Sequence, residues 1–317
     1  MTANNAQRAS AIQVTTAKRT PTFLIIGVQK SGTTSIYSYL KQHPQVYMSP
    51  VKETNFFERD WTTAAADVLR RKRDNIITWE DYQQLFAAAT EQHLALGEVS
   101  PNYMFHYQFA AKHIQTRLPD VKLLAVLRNP VQRAFSDYLM HMRDAVVGKQ
   151  TPLAEQVRSR GDASYVLLKG KYYEPLKHFI DRFGRSRVDV FLYDDLRQDS
   201  QAFMQNLYRS IGVDSDFVVD TSKKLQVAKV PKNQTMNRLL KTQNPIRTVA
   251  TGIMQLVPST VRHQLRDRLI ALNSQEKNQV KFTEEDQILL QQYYREDILK
   301  LQDLLQRDLS VWLPDNG

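Results

Sequence analysis

A strand, a glycine-containing loop and a helix follow one another near the start of the chain, in the stretch TFLIIGVQKSGTTSIYSYLKQHP. The apolar run predicts a strand that is buried on both faces, and the residues after the loop have the apolar spacing of a helix. A loop of this kind directs several backbone N–H groups, and the positive end of a helix dipole, at one point. The sequence therefore predicts an anion site, for which phosphate is the usual ligand.

Further apolar runs alternate with amphipathic stretches along the chain. Strands are predicted at Phe23–Val28, Val121–Leu127 and Arg187–Tyr193, and a weaker one at Leu94–Ser100. Helices are predicted in SGTTSIYSYLKQH, PVQRAFSDYLMHMRDA, SQAFMQNLYRSIG and a C-terminal stretch that opens with Thr283 and Asp286 in capping-box spacing. This alternation is typical of an α/β fold, so we expect a P-loop-like domain with a mainly parallel central sheet flanked by helices.

The composition restricts what kind of protein this is. Of the 317 residues, 42% are hydrophobic and 24% are charged, which is ordinary for a folded domain with a substantial core. A net charge of +10 favours a polyanion, an anionic membrane face or a phosphorylated cofactor as partner. The lack of Cys excludes disulfides and thiolate metal sites. No stretch reaches the roughly 18 to 20 apolar residues of a membrane span, so we expect a cytoplasmic protein.

The sequence suggests one main domain with two distinct flanking features. Residues 1–20 are predicted to be a disordered basic N-terminus, and residues 21–317 to be a single domain. Within that domain, residues 237–280 form a basic amphipathic segment that Pro245 and Pro258 divide into short helices. Packing across one edge of the sheet is the favoured interpretation, and a substrate-side lid or a peripheral membrane contact is the alternative. The oligomeric state stays open.

Two details distinguish the predicted anion site from that of a nucleoside triphosphatase. In the Walker pattern a Lys and a Ser or Thr follow the second Gly, whereas here Lys30 precedes Gly32. The strand at Val121–Leu127 is followed by Arg128 and not by a magnesium-holding Asp. An Arg there repels a divalent cation and suits a second phosphate, to which Ser136 adds a hydroxyl. The pattern predicts a site for two phosphates and no metal.

These motifs resemble those of the sulfotransferases that use 3′-phosphoadenosine 5′-phosphosulfate (PAPS), and in particular the bacterial and carbohydrate members, including the heparan sulfate enzymes. The likeness runs from about Thr22 to Leu313 and includes HPQVYMSPVKETNFF, GEVSPNY and FGRSRVDVFLYDDL. It implies two groups of cofactor contacts. The 5′-phosphosulfate is expected to be bound by Lys30, Ser31, Gly32, Thr33 and Thr34. The 3′-phosphate is expected to be bound by Arg128, Ser136 and Lys232, which lies in the segment VPKNQ.

The resemblance also implies a reaction, which is sulfuryl transfer to a hydroxyl, or less favourably an amine, of a saccharide, a lipid headgroup or a natural-product alcohol. Glu53 is the first residue of the family pattern E-x-x-F-F and is the predicted general base. Without that motif, the favoured interpretation of Glu53 is a surface carboxylate paired with Lys52. His141 is the competing base. Lys30 is expected to stabilise charge on the departing bisphosphate. Val99 stands where heparan-type members have a Lys.

Two rival functions come from other classes. A P-loop nucleotide kinase or NTPase shares the strand–loop–helix, but it is disfavoured by the displaced Lys30 and by Arg128. A non-catalytic polyanion-binding protein is permitted by the basic charge alone, and it predicts binding that weakens steeply with salt and yields no product. Nucleic acid is not an expected partner.

Overall fold

The computed structural model describes residues 19–58, 76–144, 151–222, 230–231, 274–275 and 282–314. Its central sheet has five strands: β1 (Phe23–Gly27), β2 (Val46–Met48), β3 (Ala95–Val99), β4 (Lys122–Leu127) and β5 (Val188–Leu192). They lie in the order β2-β3-β1-β4-β5, and every neighbouring pair is parallel. The predicted fold class, an α/β domain with a parallel sheet, is confirmed.

Strand β1 lies at the centre of this sheet and explains why its sequence is continuously apolar. Phe23 lies opposite Gly97 of β3 on one side and opposite Lys122 of β4 on the other. Successive side chains of a strand point to opposite faces, so Leu24 and Ile26 join one hydrophobic cluster while Phe23 and Ile25 join the other. Helices must therefore cover both faces of the sheet.

Ten α-helices stand in the described part of the chain. They are α1 (Thr33–Leu40), α2 (Trp79–Gln84), α3 (Tyr107–Arg117), α4 (Pro130–Asp144), α5 (Leu153–Ser159), α6 (Tyr165–Leu168), α7 (Tyr173–Phe183), α8 (Tyr193–Gln198), α9 (Ser200–Ile211) and α10 (Glu284–Leu305). Apolar residues of α1 and α9 pack on one face of the sheet, and those of α3, α7 and α10 pack on the other. Among these helices none is long and apolar enough to cross a membrane.

The C-terminal helix α10 begins as its sequence predicts. The Thr283 hydroxyl accepts a hydrogen bond from the Asp286 N–H, and the Asp286 carboxylate accepts one from the Thr283 N–H, which is a complete capping box. Helix α10 also supports α7, because the Asp297 carboxylate accepts hydrogen bonds from the backbone N–H groups of Tyr172 and Tyr173, at 2.7 and 3.3 Å. A carboxylate in this position satisfies amide groups at the start of α7 that have no partner within that helix.

Two parts of the fold lie beyond the sequence predictions. Strand β2, with three residues, forms one edge of the sheet and was not predicted. Two further strands, β6 (Val230–Pro231) and β7 (Ser274–Gln275), pair antiparallel with each other. The predicted N-terminal segment up to residue 18, most of the basic segment 237–280, and Lys232 lie outside the described residues.

Candidate active site

A cleft of about 710 Å³ opens at the edge of the sheet where the parallel strands end. Its walls come from the loops after β1, β3 and β4 and from the loop between β2 and the short 3₁₀ turn at Phe56–Glu58. Helices α1, α4 and α8 and the first residue of α9 complete them. Ligands of open α/β sheets bind at this edge, because the loops after neighbouring strands converge there. We call this space the main cleft. The predicted site residues that line it are Lys30, Gly32, Thr33, Thr34, Glu53, Arg128 and Ser136.

The loop after β1 has a backbone shaped for anion binding. Lys30 and Gly32 both adopt the left-handed conformation, with φ of 74° and 77°, before α1 begins at Thr33. A Cβ at position 32 would meet Leu196 Cδ2 and Tyr193 Cε2 at 2.9 Å, so only glycine fits between the loop and α8. The Ser31 side chain is fully buried, and its hydroxyl has no hydrogen-bond partner among the described residues. An anion in the loop suits both the helix N-terminus and this hydroxyl.

Arg128 also lines the cleft, and it ties two loops together. Its Nη1 donates a hydrogen bond of 2.9 Å to the Lys30 carbonyl, and its guanidinium lies 4.8 Å from the centre of the Tyr193 ring. Burial lowers the pKa of Arg128. Its buried Nε has no hydrogen-bond partner within the described ranges, and Ser136 lies in the same wall. A guanidinium held in this way has a donor left for an anionic oxygen.

Glu53 lies on a loop that a buried network anchors. Its φ of 62° is left-handed, its N–H donates to the Val99 carbonyl at 2.8 Å, and its carboxylate is paired with Lys52. The neighbouring Thr54 hydroxyl donates to Glu98, a fully buried carboxylate that also accepts a bond of 2.6 Å from the Tyr82 hydroxyl. Burial raises the pKa of Glu98. Glu53 is therefore both paired with Lys52 and part of the cleft lining, so the two interpretations of this residue are compatible.

His141 lies elsewhere on α4 and is not among the residues that line the main cleft. Its Nε2 is 3.7 Å from Oδ1 of Asp137, whose other carboxylate oxygen is paired with Nη1 of Arg133 at 3.0 Å. Both Arg133 and Asp137 are fully buried. His141 is thus turned towards a buried ion pair, and the carboxylate that the cleft presents is Glu53.

Several residues of the cleft were not assigned from the sequence, and three of them add a charge or an aromatic ring to its lining. Lys52, Tyr193 and Arg197 all line it. Tyr193 directly follows the end of β5, and a position just after a parallel strand is the signal that points to this edge. Lys52 and Arg197, with Lys30 and Arg128, give the described lining four cationic side chains, and Glu53 is its one carboxylate. A bound group of high negative charge suits this balance.

The fold is that of a P-loop-like α/β protein, and the main cleft lies where the strands of its sheet end. The sulfotransferase family model matches residues 21–216, and the chain belongs to this family. A crystal structure of a sulfotransferase from Alicyclobacillus acidocaldarius has the same architecture, with a TM-score of 0.65, 26% identity, and alignment over 93% of this chain and 99% of that one. The predicted resemblance to sulfotransferases is confirmed.

Curated relatives include carbohydrate-modifying enzymes. The chain is 35% identical to heparan sulfate glucosamine 3-O-sulfotransferase 6 of Mus musculus over 121 residues, which are 38% of this chain and 30% of that protein. It is 28% identical to bifunctional heparan sulfate N-deacetylase/N-sulfotransferase 1 of Mus musculus over 221 residues, which are 66% of this chain and 24% of that protein. The chain thus spans under a third of the length of these two relatives.

Proposed function

We propose that the protein transfers a sulfuryl group from PAPS to a hydroxyl of an acceptor. The observation that carries the proposal is that two separate groups for binding an anion, the Lys30–Thr34 loop and Arg128 with Ser136, line one cleft together with the Glu53 carboxylate. Two phosphates at a fixed separation suit such a pair of groups. PAPS, when bound, supplies the sulfuryl group and a bisphosphate leaving group. A saccharide is the proposed acceptor, because the curated relatives named above are heparan sulfate sulfotransferases.

Two buried donors without partners, one in the loop after β1 and one in the cleft lining, fit this co-substrate. Ser31 Oγ and Arg128 Nε are buried, and each lacks a hydrogen-bond partner in the part of the chain that the structure describes. A buried polar atom without a partner is costly, and phosphate oxygens are strong acceptors for both. The loop amides and Ser31 hold the 5′ end, and Arg128 with Ser136 holds the 3′-phosphate.

The residues then divide the work of transfer. Glu53 takes the proton of the acceptor hydroxyl while that oxygen forms a bond to sulfur. The bond between sulfur and the bridging phosphate oxygen breaks, and the negative charge that grows on this oxygen is stabilised by the Lys30 ammonium. Lys52, which is paired with Glu53, holds the carboxylate in place before the proton moves.

Calorimetric titration with 3′-phosphoadenosine 5′-phosphate (PAP), without magnesium, tests the proposal. We expect micromolar binding that Arg128→Ala weakens at least about tenfold, or about 1.4 kcal/mol, and that Lys30→Ala also weakens. Arg187→Ala is the matched control, because Arg187 is a partly exposed Arg that is paired with Asp120 at 2.8 Å, directly precedes β5 and does not line the main cleft. Binding of ATP with magnesium and none of PAP would overturn the proposal in favour of a nucleotide kinase or NTPase.

A further inference from the structure

A second cleft, of about 280 Å³, lies beside the main cleft, and we call it the side cleft. The two clefts have Gln29 and Pro101 in common, so they adjoin across the loops that follow β1 and β3. The volume is just under the roughly 300 Å³ at which small-molecule pockets begin, which is room for about one ring. A group bound in the side cleft is therefore next to the proposed site of transfer.

Most of the side-cleft wall is apolar or aromatic. The apolar part includes Met104, Phe105, Tyr107, Leu168, Tyr172 and Pro175. The exposed ring of Tyr165 extends this wall outwards, since it packs edge-on against Phe105 with the ring centres 5.7 Å apart. Aromatic rings accept the apolar face of an aryl group or of a sugar ring. Such a surface favours a ligand that contains a ring, but it does not determine whether that ligand is charged.

The side cleft is lined by two lysines, Lys169 and Lys171, and Lys169 is the one whose positive charge is available to a ligand. Lys171 is paired with Asp162 at 2.7 Å and lies over the Tyr293 ring, so its charge is already compensated. The Lys169 ammonium instead donates to the neutral Gln29 side chain at 2.8 Å and lies 5.5 Å from the centre of the Phe105 ring. Within the described ranges no carboxylate lies at ion-pair distance from it. Burial lowers the pKa of Lys169, as is usual for an ammonium that lacks a close counter-ion.

The carboxylates near the side cleft do not take over this role. Asp137, Glu58 and Glu53 all attract Lys169 from beyond ion-pair distance. Asp137 is already held by Arg133 at 3.0 Å and Glu53 is paired with Lys52, and neither Glu53 nor Glu58 lines the side cleft. Asp297 accepts the backbone N–H groups of Tyr172 and Tyr173 at the start of α7. Glu174 is exposed. Lys169 thus remains as the half-buried cation that an incoming anionic group can neutralise.

We propose that the side cleft binds the acceptor, and that it takes a single ring that presents an apolar face to Phe105 and an anionic substituent to Lys169. This inference rests on the proposed function, because Glu53 lies in the main cleft and the ring lies in the side cleft. A hydroxyl of the ring would reach Glu53 across the boundary that Gln29 and Pro101 form between the two clefts. Lys169 is then a specificity-determining residue that favours acidic over neutral acceptors. Gln29, which holds Lys169 and lines both clefts, links recognition of the acceptor to the anion loop.

Two matched pairs of probes test the proposal on protein saturated with PAP. The aryl pair is 4-hydroxyphenylacetate and its neutral amide, and the sugar pair is methyl β-glucuronide and methyl β-glucoside. Ligand-observed NMR titration gives each dissociation constant. We expect the anionic member of at least one pair to bind at least about tenfold tighter than its neutral partner, and the pair that does so identifies the kind of ring.

Variants then assign the effect to the side cleft. Lys169→Met removes the charge but keeps a long side chain, and we expect it to abolish the preference for the anionic member while PAP affinity stays within about twofold. Phe105→Ala is expected to weaken both members of the pair. Lys177→Met, at an exposed lysine paired with Asp181 on α7, is the matched control and leaves the preference intact.

The outcomes separate this inference from the proposed function. If PAP binds but neither pair shows a preference for its anionic member, or if the preference survives Lys169→Met, the acceptor proposal is overturned and the proposed function stands. If PAP does not bind to the wild-type protein, the proposed function itself fails.

Discussion

The Thr54 hydroxyl lies 2.5 Å from Oε1 of Glu98, so a fully buried carboxylate fixes the residue next to Glu53. Glu53 and Asn55 both adopt left-handed backbone conformations, with φ of 62° and 53°, which cost energy for residues with a side chain. The loop keeps this shape because Glu98 accepts a hydrogen bond from the hydroxyl of Thr54, which lies in the loop. Glu98 is itself held in place by the Tyr103 hydroxyl, which donates to it at 3.0 Å. The position of the proposed base therefore depends on a residue that never meets the acceptor.

Thr54→Val tests this dependence, since it keeps the shape of the side chain and removes the hydroxyl. We expect kcat to fall about tenfold or more, because a small displacement of a catalytic group is costly, while PAP affinity is unchanged. Thr116→Val is the control, because that exposed hydroxyl bonds only to a carbonyl of its own helix, at 2.9 Å. Equal kcat values for Thr54→Val and wild type would show that the network does not position Glu53.

The choice between Glu53 and His141 as general base is decided by a pair of substitutions. We expect Glu53→Gln to lower the transfer rate by about 10²- to 10⁴-fold, the usual contribution of a general base, with little change in PAP affinity. His141→Gln is expected to leave the rate within about threefold, because His141 faces Asp137 and does not line the main cleft. The reverse pattern, measured under saturating PAPS, would assign the base to His141.

The free energy of unfolding is expected to depend on pH through the carboxyl group of Asp297. Burial raises the pKa of this carboxyl to about 6 in the folded protein, from an ordinary value of 3.8. The folded state thus holds a proton that the unfolded chain releases, and the stability gained below pH 4 is lost as the pH rises through about 6. At about 1.4 kcal/mol for each pKa unit, the loss is about 3 kcal/mol.

Asp297→Asn isolates this contribution, because the amide oxygen still accepts the Tyr172 and Tyr173 N–H groups but does not titrate. We expect the wild type to lose stability relative to the variant between pH 4 and pH 7, as measured by urea unfolding at each pH. Other carboxyl groups titrate in both proteins and cancel in the difference. A difference that stays constant over this range would contradict the raised pKa.

Gly32 and Gly212 allow backbone strain to be separated from a steric clash. Both have left-handed φ values, 77° and 74°, so Ala at either position costs about 1 to 2 kcal/mol of stability. An added Cβ at Gly212 meets nothing within 4 Å, whereas at Gly32 it meets Leu196 and Tyr193 at 2.9 Å. We expect Gly32→Ala to lose PAP affinity as well, by at least tenfold, and Gly212→Ala to keep it. Equal affinity of the two variants would argue against a role for the tight loop.

Much of the sheet was predictable, because strands buried on both faces are continuously apolar. Each of the four predicted strands appears within one residue of its expected ends, as in β1 at Phe23–Gly27. Strand β2 was missed because its three residues, Val46 to Met48, lie between Pro44 and Pro50 and are too few to show a period. An edge strand of this length is defined by its neighbour β3, which the local sequence does not reveal.

The main cleft was also largely predictable, since residues that follow parallel strands meet at one edge of the sheet. The orientation of His141 was not, because it depends on which side of α4 faces the cleft. Five residues separate it from Ser136, which at about 100° per residue places the two side chains on different sides of the helix. Lys169 follows α6 and carries no motif, so only the tertiary packing of α6 beside Gln29 brings it to the side cleft.

Helix α10 buries Leu290, Tyr294, Ile298 and Leu301 in the same cluster as Leu24 and Ile26 of β1, and it lies outside the stretch that the family model matches. A ribosome therefore completes the whole sheet before it makes the helix that covers part of one face. During that interval the nascent chain presents the apolar residues that α10 later covers, which is the kind of surface that chaperones bind and that drives aggregation. The synthesis of α10, after all five strands of the central sheet, thus determines when this apolar face is protected from aggregation.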